Sequence, residues 1–162
     1  MLKFFTTYIR PILEFNSQVW SPCSSHDIAL LEGVQRFFTS RMKSCNGLPY
    51  HVRLARLSLH SLQHRRTVAD LSTLHSIISS RFDLPLSRHL CFLPPSVTRG
   101  HNLKLLTPPI HYLIHTQNFL TRTIRLWNSL PLSLLSSSSS ITFRQRLSDY
   151  LSDPFLPPFV PP

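Results

Sequence analysis

SSHDIALLEGVQRFFTSRMKSC, residues 24–45, is the stretch of sequence that decides the fold class of this chain. Ser24 followed by Asp27 resembles the capping box that begins many helices. Apolar side chains then recur at helical spacing, at Ile28, Leu31, Val34, Phe38 and Met42. This periodicity predicts an amphipathic helix from about residue 25 to residue 45, which Gly47 would stop.

Helical periodicity continues on both sides of this segment. Residues 2–20 carry apolar side chains at helical spacing, and Pro11 is expected to kink that helix or divide it in two. After the central segment, a short helix is predicted over 49–57 and a longer one over 61–81. The longer helix has an apolar stripe at Val68, Leu71, Leu74 and Ile78.

Two more helices are predicted in the last third of the chain. Residues 117–130 carry apolar side chains on two sides, which is typical of a helix packed within a core. The serine run 136–140 is interpreted as a flexible linker. Thr142 and Gln145 fit a capping box that would begin the last helix. That helix has an apolar stripe at Phe143, Leu147, Tyr150 and Leu151.

Fourteen prolines and only three glycines favour short helices joined by Pro-rich loops. The fold class is therefore predicted to be mainly α. Prolines interrupt the periodicity between the fourth and fifth predicted helices, so loops are expected over 82–116, with room for a short strand in 97–116. The predicted organisation is one helical region over 1–151, followed by a disordered Pro-rich tail over 152–162.

The chain is strongly basic, with 17 Lys and Arg against 7 Asp and Glu and a net charge of +10. Three of the 17 are lysines, which leaves 14 arginines. Because Arg binds phosphate bidentately and stacks on bases, this charge favours RNA or DNA as a partner. The candidate nucleic-acid contacts are Arg36, Arg41, Lys43, Arg65, Arg66, Arg122 and Arg125. The alternative is that these side chains are a solvated face over core aromatic residues.

The sequence lacks the residue patterns that common catalytic sites need. Its seven carboxylates include no adjacent pair, whereas a polymerase or a nuclease clusters carboxylates around its metal ions. Three glycines are too few for phosphate-cradling loops. His60 with His64, and His111 with His115, have the spacing of helical metal ligands, but no carboxylate is placed to complete either site. No catalytic, cofactor-binding or metal-binding residue and no small-molecule substrate is predicted.

The sequence also bears on the compartment in which the chain would act. The first apolar residues are interrupted too soon for a signal peptide, and no run is long enough to span a membrane. The three cysteines, Cys23, Cys45 and Cys91, have neither a disulfide nor a zinc spacing. We therefore expect an intracellular protein, in the nucleus or the cytoplasm, that is neither secreted nor membrane-spanning.

Six short motifs follow one another along the chain. They are YIRPILEF at 8–15 with VWSP at 19–22, LEGVQRFF at 31–38, LPYHVRL at 48–54, LQHRRTVADL at 62–71, RLWNSLP at 125–131 and FRQRL at 143–147. In this order they resemble the region beyond the polymerase core in reverse transcriptases of jockey-like non-LTR retrotransposons. The resemblance departs from the family at Phe15, where a tyrosine is common, and in the long serine run.

The resemblance implies that the chain is the C-terminal, post-thumb region of an RNA-directed DNA polymerase from a mobile element. The family's metal-binding aspartates lie upstream of this region, so no residue here corresponds to them and no enzymatic activity is expected. The resemblance further implies an element copy truncated at its N-terminus, with at most an auxiliary role in binding RNA or DNA. The alternatives are an independent basic nucleic-acid-binding helical module and, less favoured, a protein–protein adaptor.

Overall fold

The computed structural model describes five ranges of the chain: residues 1–79, 90–94, 101–107, 118–137 and 139–152. Within these ranges the secondary structure is mainly α-helical, which confirms the predicted fold class. The chain divides into two compact units, Met1–Thr67 and Val68–Pro162. The helical region predicted over 1–151 thus comprises more than one compact unit.

The first unit begins with a helical segment that contains Pro11 and is interrupted at Phe15 and Asn16. The segment consists of α1 (Leu2–Phe4), a π turn (Phe5–Ile9), α2 (Arg10–Glu14) and α3 (Ser17–Trp20). Proline has no N–H and its ring would clash with the carbonyl one turn earlier, and the wider π turn directly before α2 accommodates it. Asn16 then adopts a left-handed backbone with φ of 51° and separates α2 from α3. Helical backbone therefore continues through Pro11, and the division of the segment in two lies at Phe15 and Asn16, four to five residues after the proline at which it was predicted.

The helices that follow in the first unit include the segment on which the fold prediction rested. They are α4 (Ser25–Ser40), a 3₁₀ turn (Lys43–Cys45), α5 (Tyr50–Arg56) and the start of α6 (Leu62–Ile78). Helix α4 ends before the predicted residue 45, because Met42 takes an extended backbone that begins the 3₁₀ turn. Gly47 has a left-handed φ of 72° in the loop before α5, where an L side chain would be strained.

The second unit is built on the rest of α6 and on three further helices. These are α7 (Phe119–Ser129), α8 (Leu132–Leu135) and α9 (Ser140–Leu151). Apolar side chains of these helices form one buried core together with Leu105 and Leu130, which lie outside the helices. The core consists of Val68, Leu71, Leu74, Leu105, Ile124, Trp127, Leu130, Leu134, Leu135, Phe143 and Leu147. Three of the four stripe residues predicted on α6 belong to it, as do Phe143 and Leu147 of α9.

Helix α9 begins earlier than the sequence predicts. Ser139, rather than Thr142, is its N-cap, and the Ser139 hydroxyl accepts a hydrogen bond from the amide of Ile141. Ser137 is buried, and its carbonyl is 3.2 Å from the ring nitrogen Nε2 of His75. The serine run is therefore not one continuous linker, because its members take part in a cap and in core contacts.

The segment 101–107 is the described part of the region in which a short strand is expected. It contains one isolated antiparallel bridge, between Leu105 and Phe92, and no longer strand. Backbone hydrogen bonds from Leu93 to Lys104 and from Leu106 to Cys91, each of 2.8 Å, flank the bridge. The remainder of 97–116, like nearly all of the tail predicted over 152–162, lies outside the described residues.

Candidate nucleic-acid interface

A buried carboxylate organises the first unit beneath its basic surface. Glu32 of α4 is only 6% exposed. It accepts a hydrogen bond from the hydroxyl of Tyr50, at the start of α5, and its two oxygen atoms share the backbone N–H of Leu62, at the start of α6. The N-terminal amides of a helix are orphan donors, so Glu32 satisfies one of them and gains from the helix dipole. One side chain thus ties three helices together.

Gln35 lies one turn after Glu32 and extends the same buried network. Its side-chain nitrogen donates to the Tyr50 hydroxyl and to the carbonyl of His60, at 3.0 Å each. Burial, together with the adjacent Glu32 carboxylate, raises the pKa of Tyr50. The hydroxyl therefore stays protonated as a hydrogen-bond donor, and the position of α5 against α4 is fixed.

Arg53 fixes α5 at a second point. One terminal nitrogen of its guanidinium donates to the carbonyl of Arg36 at 2.9 Å and to the hydroxyl of Thr39 at 3.1 Å. The guanidinium carbon also lies 5.4 Å from the centre of the Tyr50 ring. The guanidinium carbon of Arg36 lies 4.9 Å from the same centre. Tyr50 therefore contributes its hydroxyl to the buried network and its ring to two arginines.

A second arginine–aromatic pair lies at the end of α4. The guanidinium carbon of Arg41 is 3.7 Å from the centre of the Phe37 ring, which is contact distance for stacking. Arg41 is exposed and Phe37 is 49% exposed. Phe37 also packs edge-on against Phe38, which in turn contacts the buried ring of Phe5. The exposed pair is thereby anchored to the interior of the first unit.

The structure places the seven predicted contact residues in different environments. Arg36, Arg41 and Lys43 are exposed at the C-terminal end of α4 and in the turn after it. Arg65 is half-buried and forms an ion pair with Glu14, which raises the pKa of the Arg65 guanidinium. Arg66 is buried. Of these five residues, Arg36, Arg41 and Lys43 are close in sequence and exposed, whereas Arg65 and Arg66 are not exposed.

The two candidates in the second unit lie on α7. Arg122 is buried and pairs with Asp70, at 2.9 Å from Nε to Oδ2. Arg125 is partly exposed. The guanidinium of Arg122 is therefore engaged inside the chain, where it links α6 to α7. The sequence could not reveal this, because Asp70 and Arg122 are 52 residues apart.

Two arginines of α5 that were not predicted as contacts add to the basic side chains of the first unit. Arg53 contacts Arg36 and Tyr50 as described above, and Arg56 is exposed three residues further along. Residues three apart lie on the same side of a helix. The motif LPYHVRL contains Arg53 and would have drawn attention to it, but its proximity to Arg36 depends on how α5 packs on α4.

His60 and His64 have the spacing of metal ligands but are stacked against one another. Their ring centres are 4.4 Å apart and their planes differ by 10°. Burial, with smaller contributions from His60 and Arg65, lowers the pKa of His64 to about 4. Across the described ranges no three His, Cys, Asp or Glu side chains are grouped so as to hold a metal ion. His111 and His115 lie outside the described residues.

Comparison with known proteins gives one distant similarity. No protein-family model matches the chain, and no solved structure matches it. A segment of 86 residues, 51% of the chain, is 34% identical to B0403.1, an uncharacterized protein of Caenorhabditis elegans. The chain spans less than half of that protein, 43% of its length. This similarity therefore brings no activity, substrate or partner to the chain.

Among the helices of the described ranges, none is long and apolar enough to cross a membrane.

Proposed function

We propose that the chain is the non-catalytic C-terminal region of a jockey-like retrotransposon reverse transcriptase, and that its role beside the polymerase is auxiliary contact with RNA or DNA. The observation that carries this proposal is the use of the motif residues. Side chains from motifs far apart in sequence meet in buried contacts. The earlier motifs meet in the first unit, and the later motifs supply the core of the second unit.

In the first unit, three motifs meet around Glu32. Glu32 and Gln35 come from LEGVQRFF, Tyr50 comes from LPYHVRL, and Leu62 begins LQHRRTVADL. The hydrogen bonds among them join residues up to 30 positions apart. Buried polar networks of this kind specify one arrangement of helices, because any other arrangement leaves a buried charge unpaired. A shared set of motifs is then expected to mean a shared fold.

In the second unit, the remaining motifs supply core contacts. Trp127 and Asn128 of RLWNSLP hydrogen-bond to the backbone of Leu103 and Leu105, and Phe143 of FRQRL is fully buried. These side chains stabilise the interior of the unit. The motifs therefore support a structural region rather than a catalytic one.

The carboxylates support the same interpretation. Glu14 pairs with Arg65, Asp70 pairs with Arg122, and Glu32 is used by Tyr50 and Leu62. A polymerase metal site needs carboxylates grouped in a cleft with free oxygen atoms. These three instead accept hydrogen bonds from donors of their own chain, which supports a role in folding.

Primer extension tests the non-catalytic part of the proposal. The purified chain is incubated with a primed RNA template, Mg²⁺ or Mn²⁺ and the four deoxynucleotides, beside an active reverse transcriptase as positive control. No incorporation is expected. Incorporation that persists through purification would contradict the proposal. Family membership is tested separately on the flanking genomic sequence, in which intact or decayed palm coding sequence is expected upstream.

The second candidate function is an independent basic nucleic-acid-binding module. The exposed arginines and half-exposed Phe37 at the end of α4 favour it. It differs from the first in requiring that the isolated chain fold and bind by itself. Cooperative thermal unfolding, with RNA or DNA affinity that falls steeply with salt, is expected for the module. Flanking polymerase coding sequence without cooperative unfolding would favour the first candidate.

A further inference from the structure

We infer that the exposed basic surface at the junction of α4 and α5 binds single-stranded nucleic acid, with its arginines on phosphates and Phe37 against an unpaired base. We call this set of residues the α4–α5 surface; it comprises Arg36, Phe37, Arg41, Lys43 and Arg56. The inference rests on the auxiliary nucleic-acid role proposed above and gives that role a location and a ligand class.

The stacking part of the surface is formed before any ligand arrives. Arg41 lies over the Phe37 ring at 3.7 Å, and the ring is packed edge-on against Phe38 at a centre distance of 5.6 Å. Both members of the Arg41–Phe37 pair are accessible. Aromatic rings and guanidinium planes are the surfaces on which unpaired bases stack. A pair that is already assembled loses little side-chain entropy when a base is added.

The phosphate-binding part of the surface is formed by exposed cations on α4, on the turn after it and on α5. Arg36 precedes Phe37 on α4 and is held near Tyr50, Lys43 follows in the 3₁₀ turn, and Arg56 is exposed on α5. Arg53 does not need to contact the ligand, because its hydrogen bonds to α4 keep α5 in place. Several exposed cations together with an accessible aromatic ring match a chain in which phosphates alternate with bases.

Carboxylates of the first unit do not neutralise this surface. Glu32 is buried in its own network, and Glu14 is paired with Arg65. Asp27 is exposed in the first turn of α4, 14 residues before Arg41, a distance of about 20 Å along a helix. Since the Debye length is about 8 Å at physiological salt, Asp27 is screened from Arg41.

The exposed ring favours a single strand over a duplex. In a duplex the bases are stacked on one another, and only the phosphates and groove edges are accessible to a convex helical surface. Phe37 would then remain exposed with no base against it. A strand with unpaired bases uses both the cations and the ring, which is why a general polyanion, such as an acidic protein segment, is a weaker match.

The experiment measures fluorescence anisotropy of the full chain with labelled oligonucleotides. The probes are oligouridine and oligothymidine of about 20 nucleotides, to compare RNA with DNA, and a duplex of equal length. Binding to the single strands is expected to be at least about tenfold tighter than to the duplex. An unlabelled acidic polypeptide, polyglutamate, serves as a competitor without bases.

Two sets of variants separate the ring from the charge. Phe37→Leu keeps an apolar side chain but removes the aromatic face, and is expected to weaken single-strand binding about tenfold. Phe37→Tyr keeps the aromatic face and is expected to keep the affinity of the parent chain. Arg36→Gln combined with Arg41→Gln should lower the slope of log affinity against log salt by about 0.7 for each phosphate that is no longer neutralised. The matched control is Arg144→Gln with Arg146→Gln, two exposed arginines of α9 whose replacement changes the net charge equally.

The outcomes separate the inference from its alternatives. A larger decrease in affinity for the α4–α5 variants than for the α9 control, with Phe37→Leu impaired at unchanged thermal stability, supports the inference. Equal decreases for the two double variants, preference for the duplex, or displacement of the single strand by polyglutamate at equal charge concentration would overturn it. None of these results alters the primer-extension or flanking-sequence tests, so the proposed family role stands or fails independently.

Discussion

Asn128 makes a two-point hydrogen-bonded contact with the backbone of Leu105. Its side-chain oxygen accepts from the Leu105 amide at 2.8 Å, and its side-chain nitrogen donates to the Leu105 carbonyl at 2.9 Å. The neighbouring Trp127 donates its indole N–H to the carbonyl of Leu103 at 2.9 Å. Two consecutive residues of α7 thus hold the segment 101–107 through its main chain and bury Leu105 completely.

Replacing Asn128 tests how much this contact contributes. Asn128→Leu keeps a similar volume but leaves both polar groups of Leu105 without their partner. We expect the free energy of unfolding to fall by about 2 kcal/mol, because unsatisfied buried backbone groups carry their full desolvation cost. Urea denaturation monitored by circular dichroism measures the change. Gln145→Leu, the same kind of replacement at an exposed position of α9, is the control and should change stability by less than about 0.5 kcal/mol.

The buried ion pair of the second unit gives a larger expected effect. Asp70→Asn leaves the guanidinium of Arg122 without its anionic partner at a site where the two side chains are 5% and 9% exposed. Removing one partner of a buried pair is expected to destabilise the chain by about 3 to 5 kcal/mol. Asp149→Asn, at an exposed carboxylate on α9, is the matched control. A decrease below about 1 kcal/mol for Asp70→Asn would contradict a stabilising role for the pair.

Tyr50 is expected to make the stability of the first unit depend on pH in the alkaline range. Its pKa is raised above the ordinary 10.0 by burial and then by the Glu32 carboxylate. A pKa that is higher in the folded than in the unfolded state adds stability that is present below pH 10 and is lost as pH rises further. Tyr50→Phe should therefore cost about 1 to 2 kcal/mol at neutral pH and make the alkaline decline in stability shallower, by up to the one proton that Tyr50 contributes. Tyr8→Phe, at a side chain that is 64% exposed, should behave like the parent chain in urea denaturation across this pH range.

The environment of His64 is expected to make the stability of the chain fall in acid. Burial, His60 and Arg65 lower its pKa from 6.5 to about 4. A pKa that is lower in the folded than in the unfolded state makes stability fall as pH drops from about 6.5 to about 4, since the unfolded chain binds the proton first. His64→Gln should reduce the slope of unfolding free energy against pH by an amount equivalent to at most one proton. Urea denaturation at a series of pH values measures this slope. If the exposed His26→Gln flattens it equally, His64 is not its source.

The helices were largely predictable because they depend on local periodicity. The predicted helix over 61–81 corresponds to α6 (Leu62–Ile78), and the one over 117–130 corresponds to α7 (Phe119–Ser129). Sandwiching of α7 was also predicted correctly, since residues on several sides of it are buried. The predictions were wrong at the ends of helices, where the conformation of a single residue decides where the helix begins or stops. Met42 turned extended and shortened α4, and Ser139 capped α9 in place of Thr142.

The candidate interface was only partly predictable. Sequence identified Arg36, Arg41 and Lys43, which are exposed, because they lie near aromatic residues in one helical segment. It could not separate them from Arg122 and Arg66, which are buried. Charge and spacing along the chain are the same in both cases, and only the approach of a distant partner such as Asp70 distinguishes them.

The sequence by itself determined a mainly helical, basic chain and the approximate positions of its helices, because helix formation and net charge depend on neighbouring residues and on composition. Tertiary structure alone decided which polar residues became interior. The most buried side chains of α4 are Glu32, Gln35 and Thr39, although its apolar periodicity pointed to a different face. A polar side chain becomes buried only when donors and acceptors from other helices compensate its lost hydration, and those partners lie far away in sequence.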